Sequence, residues 1–138
     1  MALSKIDADG VSGLQASLTA ATTVPSEGGA VNINLVEGLT KAWVNFSGNG
    51  TLPISESFNV ASLTDNDVGR YSANYVNSMN TSTYATQVCS DADSSNDAFN
   101  RVAGGANTTT SKAYLMHFEN GSSQDTSIMI GTINGDLA

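Results

Sequence analysis

His117 is the only histidine in the chain and Cys89 the only cysteine, so any imidazole or thiol chemistry must pass through one of them, while paired carboxylates for glycoside cleavage stay open on spacing alone. A general base that works near neutral pH needs a side chain that titrates there, which makes His117 the one candidate. It lies in AYLMHFEN, mid-strand, beside Leu115 on the less apolar face. Serines abound, but none sits in a GxSxG elbow, and His117 therefore reads as a structural or surface residue, not a catalytic one. A tetrahedral zinc site needs clustered Cys and His, and one of each, far apart in the chain, is no cluster. The loop SDADSSND presents Asp91, Asp93, Asn96 and Asp97, oxygen ligands of the kind that hold calcium. The glycine and closing glutamate of an EF-hand are missing, with Asn96 and Val102 in their places, so the loop reads as a solvated connection. The same holds for Asp7 with Asp9 and for Asp65 with Asp67. No glycine-rich loop follows a strand and opens a helix, which removes the usual phosphate cradle. The expectation is a protein with no catalytic residue, no metal and no cofactor.

The elements that position these residues are written in the composition. The chain has 138 residues, with 18 Ser, 14 Thr, 14 Asn and 13 Gly against only 13% charged residues, unlike an ordinary cytosolic enzyme. That length can bury a core without staples, and a lone cysteine offers no internal disulfide, so packing alone must hold the fold. Five basic and 13 acidic residues give a net charge of -8, which repels phosphate backbones and anionic lipid heads. Nucleic acid and membrane insertion are thereby excluded as expectations. The opening MALSKIDADG lacks an apolar stretch after its lysine, and no signal peptide or membrane anchor is expected.

From Val31 onward apolar residues recur with a period of two, the signature of half-buried strands. Val31, Ile33 and Leu35 share one face; Ala42, Val44 and Phe46 share another, opposite Trp43 and Asn45. Asn49-Gly50 marks a tight turn, and Pro53, which removes a ladder donor, places the strand that follows at a sheet edge. Phe58 to Leu63 reads as one short strand and TDNDVG (64–69) as a turn. RYSANYV (70–76) and TYATQVCS (83–90) read as an antiparallel pair, and AYLMHF (113–118) and SIMIGTI (127–133) follow, with Tyr114, Met116 and Phe118 on one face. About seven to nine short strands with turn signals between them predict an all-β fold, an antiparallel β-sandwich.

Residues 1–30 differ. Leu3, Ile6, Val11, Leu14 and Leu18 are their large apolar groups, too few for a core of their own. Leu14 and Leu18 stand one helical turn apart after Ser12, so an extended or short-helical arm is expected, either docked onto a larger assembly or folded back on its own domain, with residues 22–30 as linker. The expected division is an anchor arm, 1–30, and a β domain, 31–138.

Residues 41–85, KAWVNFSGNGTLPISESFNVASLTDNDVGRYSANYVNSMNTSTYA, resemble a recurrent module of fibre and fibre-like proteins of tailed bacteriophages, especially marine and cyanobacterial ones. The resemblance lies in ordered blocks: 41–46, 47–51, 57–62, 64–69, 70–75 and 83–85. The closing SIMIGTINGDLA resembles the short apolar strand with which such modules commonly end, and the opening MALSKIDADGVSGL is similar to the starts of small virion-associated proteins of such phages. Asp67-Val68 departs from the Gly-Thr usual in that pattern, and residues 53–56 depart from a Val-Ala-Ile-Arg-like stretch.

The resemblance implies a virion protein, made in the host cytoplasm and displayed on the particle exterior, typically a homotrimer without catalytic residues. On this reading Leu3, Ile6, Val11, Leu14 and Leu18 anchor the chain to other virion proteins of tail, portal adaptor or capsid. Trp43, Phe46, Phe58, Tyr71 and Tyr75 supply core or inter-subunit contacts. Two functions are expected from it: host attachment through a cell-surface glycan or protein, with the chain as a short fibre or fibre tip, and reinforcement of capsid or tail as a decoration protein. The absence of a shaft-like segment leans toward decoration, and a virion-attached hydrolase is the remote third reading.

Overall fold

The computed structural model describes residues 23–25, 32–34, 38–91, 98–102, 107–119 and 121–138. The chain divides into two compact units, Met1–Leu39 and Thr40–Ala138, a division that falls later than the change in composition at residue 30. In the first unit, β1 (Thr23–Pro25) and β2 (Asn32–Asn34) pair antiparallel in a two-stranded sheet of their own. Thr23–Pro25 is thus a strand inside the stretch read from sequence as linker.

The second unit is an all-β sandwich of two antiparallel sheets. One has the order β4-β3-β11-β7, built from β3 (Thr40–Phe46), β4 (Ile54–Phe58), β7 (Ala85–Ser90) and β11 (Met129–Asn134). The other has the order β8-β9-β6-β5, from β5 (Val60–Asp67), β6 (Arg70–Tyr75), β8 (Ala98–Val102) and β9 (Lys112–Glu119). The two-residue β10 (Ser122–Ser123) pairs with the far end of β9, in line with β6 along the same edge. The sandwich therefore consists of eight main strands, four to a sheet.

Alternation fills the space between the sheets. Ala42, Val44 and Phe46 from β3 and Met129 and Ile133 from β11 face Tyr71, Ala73 and Tyr75 from β6 and Ala113 and Leu115 from β9. Phe46 and Tyr71 meet edge to face at 5.2 Å between ring centroids, a favoured aromatic geometry. Gly131 lies among these inward residues because a Cβ there would stand 3.0 Å from Leu115 Cδ1, so its absence lets the two sheets approach. Pro53 immediately precedes β4, and β4 is an edge strand as its position predicts.

Three sequence readings change. The stretch from Phe58 to Leu63 is not one strand: it breaks at Asn59, where φ is 55° and the chain passes from one sheet to the other. Asparagine tolerates this left-handed conformation, and its side chain secures the corner, donating to Lys41 O at 3.0 Å and Asn77 O at 3.1 Å while Oδ1 accepts Asn77 N–H at 2.7 Å. Residues 64–67 belong to β5, and only Val68 and Gly69 make the turn, since Asp67 pairs directly with Arg70. The strands at 70–75 and 85–90 do not pair with each other. β6 pairs with β5 and β9, and β7 pairs with β11 in the opposite sheet, because the connection between them crosses the sandwich.

Candidate functional site

The outer face of the β4-β3-β11-β7 sheet is the most distinctive surface among the described residues. Pairing register sets its side chains in three rows. Phe58, Trp43, Thr132 and Gln87 form one; Glu56, Asn45, Ile130 and Cys89 form the next; Thr40, Asn134 and Ala85 form the third. Each row is the outward complement of a buried one, such as Val44 with Gly131 and Val88. Phe58 is 52% exposed and Ile130 39%, with Trp43 half-buried between them and Cys89 exposed beside Ile130. Large exposed apolar side chains gathered on one sheet face mark an interaction surface more often than isolated ones do.

The opposite outer face is chemically different. On β5 and β6, Asn74 Nδ2 donates to Ser62 Oγ at 3.1 Å and Thr64 Oγ1 at 3.0 Å, and Asn66 Nδ2 donates to Ser72 Oγ at 3.0 Å. These amides and hydroxyls pair with one another along the sheet, and Arg70 stands 3.6 Å from Asp67 at its end.

The five residues expected in core or subunit contacts separate into two sets. Phe46, Tyr71 and Tyr75 lie in the sandwich core, whereas Trp43 and Phe58 are cross-strand neighbours on the outer apolar face. Burial, and then a hydrogen bond to the Asp125 carboxylate, push the Tyr71 hydroxyl well above its ordinary pKa. That carboxylate accepts from Tyr71 Oη and from Gly69 N–H, each at 2.8 Å, and so ties the β5–β6 turn to the sheet interior. Burial, then the neighbouring Tyr84, likewise raise Tyr75, and the two rings meet edge to face at 5.9 Å.

His117 is not at the surface. It faces inward from β9 with Leu115 and is fully buried, while Tyr114, Met116 and Phe118 take the outer side. Its Nδ1 lies 2.7 Å from Ser90 Oγ on the other sheet, and its Nε2 lies 3.6 Å from Glu119 Oε2. Hydroxyl, imidazole and carboxylate thus stand in a row, joining β7 to β9 across the sandwich. Full burial of the imidazole makes this arrangement a polar tie between sheets. Nothing in the sequence pattern announced it, because Ser90 and His117 come together only through the crossing of strands.

Leu3, Ile6, Val11, Leu14 and Leu18, the helical reading of the arm, and Asp93, Asn96 and Asp97 lie outside the described residues. Asp91 is exposed; its N–H donates to Ile128 O at 3.0 Å and its carbonyl accepts Thr126 Oγ1 at 2.8 Å. Among the described residues no three His, Cys, Asp or Glu side chains are grouped to hold a metal ion. No helix among them is long and apolar enough to cross a membrane. Compared with models of known protein families, with curated proteins and with solved structures, the chain matches none.

Proposed function

We propose that the chain is a bacteriophage virion protein, a short fibre or fibre tip held to the particle by its first 30 residues and displaying the β-sandwich for attachment to a host-surface glycan or protein. The observation that supports this reading is that four of the six resembling blocks fall on successive structural elements. Block 41–46 falls on β3, 47–51 on the loop after it, 57–62 on the β4–β5 corner, and 70–75 on β6. The two remaining blocks fit less closely, since residues 64–67 of the turn block belong to β5 and only Ala85 of block 83–85 lies in β7.

The Ser-, Thr- and Asn-rich loops with scattered tyrosines suit recognition by hydrogen bonding. The reading assigns no catalytic role to any residue, in keeping with an imidazole sealed between two sheets. Its homotrimeric form follows the resemblance. Purified protein should bind susceptible cells and compete with phage for adsorption. Failure to do either at saturating protein would set the attachment role aside.

A further inference from the structure

We propose that the outer face of the β4-β3-β11-β7 sheet is the surface on which a second copy of this chain docks. The inference rests on reading the chain as a virion protein present in multiple copies, and it names the face that would join them. Charge selects the partner. Each copy carries a net charge of -8, yet the three outward rows hold a single exposed charged side chain, Glu56, with Lys41 buried at the bulge of β3. Asp65 and Asp67, by contrast, are exposed on β5 in the other sheet. Two copies of so acidic a chain meet with least like-charge repulsion through the nearly neutral face.

Hydrogen bonding points the same way. Asn45, Thr132 and Gln87 each carry both donor and acceptor groups, so the face can satisfy a copy of itself without a partner of fixed sign. The amides and hydroxyls on β5 and β6 are already engaged with one another. Phe58, Trp43 and Ile130 supply the apolar centre that such a contact needs.

Size sets the strength. Four strands about 4.8 Å apart and about six residues long span roughly 15 by 20 Å in projection. That is modest beside the roughly 800 Å² of accessible surface per partner in a standard interface. Association should therefore be reversible in solution and favoured by the crowding of copies on a particle.

Trp43 is the only tryptophan, so emission excited selectively in tryptophan, beyond the tyrosine absorption, reports on this face alone. The test is sedimentation velocity together with Trp43 emission, run on the full chain from micromolar to millimolar concentration. The expected result is a rise in mass accompanied by a blue shift of Trp43. Phe58→Glu and Ile130→Glu should move the onset of association up by about tenfold or more. Val76→Glu, which adds the same charge at a residue 64% exposed and outside the three rows, should leave it unchanged. Circular dichroism checks that each variant keeps the β fold. A wild-type chain that stays monomeric with constant Trp43 emission would overturn the proposal. So would association that ignores the two face variants or responds equally to Val76→Glu. A chain found on virions that is nonetheless monomeric by this test would remove the docking face and leave the virion role standing.

Discussion

Asn59 shows how much one side chain can carry. It holds φ at 55° and makes three hydrogen bonds at the point where the chain leaves one sheet for the other. Asn59→Ala removes all three and leaves a side chain poorly suited to the left-handed region. A loss of about 2–4 kcal/mol in denaturant unfolding is expected, with Asn59→Gly losing less because it relieves the backbone. Asp125 is a second such point, since one carboxylate oxygen receives both the Tyr71 hydroxyl and the Gly69 amide. Asp125→Ala should cost about 2–3 kcal/mol, and Tyr71→Phe about 1–2 kcal/mol by the same measurement. An Asp125→Ala variant as stable as the wild type would show that these contacts are replaced by water at no cost. The residue-level reading of the sequence was strongest where a side chain acts within its own strand. That Phe46 and Trp43 face opposite ways follows from alternation, though not which of them lies inward, whereas the Ser90–His117 tie depends on two distant segments and left no local signal.

Strand positions were legible at the scale of elements, and their partners were not. The period of two marked β3, β6, β7, β9 and β11, because each presents one face to a core and the other outward. Which strand lies beside which depends on connections that cross the sandwich, and the reading of 70–76 with 83–90 as neighbours failed for that reason. β8 (Ala98–Val102), in AFNRV, carries no periodic signal beside the acidic loop, since five residues are too few to establish a period. The turn at Val68 and Gly69 proved tighter than the acidic run TDNDVG suggested. Gly69 has φ of 65°, and a Cβ there would collide with the backbone of Gln124 and His117. Gly69→Ala is therefore expected to lower stability by about 2–4 kcal/mol, through backbone strain and displacement of the segment before β11. Thermal unfolding of this variant within a degree or so of wild type would mean that the turn can relax away from β9.

At the largest scale, the β-sandwich of Thr40–Ala138 presents two unlike faces around a core rich in tyrosine. Tyr71, Tyr75 and Tyr84 all have raised hydroxyl pKa values, with burial as the first cause. A group whose folded pKa exceeds its unfolded one contributes stability that is complete below the unfolded value, near pH 10, and is lost as pH rises through the folded value. The folded protein should accordingly hold its melting temperature up to about pH 10 and lose it steeply above, as the unfolded chain ionises its tyrosines first. Tyrosinate absorbance that rises well before the fold is lost would place those hydroxyls in water instead. One unlike face follows from the hydroxyl and amide ladder of β5 and β6, and the other from Trp43, Phe58 and Ile130. Such two-sidedness suits a protein that meets its own copies on one side and another surface on the other. Its place on a phage particle is the central claim, and antibody labelling of purified particles in the electron microscope tests it most directly. Label at the tail or at fibre tips is the predicted result. Particles that carry none of the chain would contradict the virion role, and label spread over the capsid lattice would contradict attachment in favour of decoration.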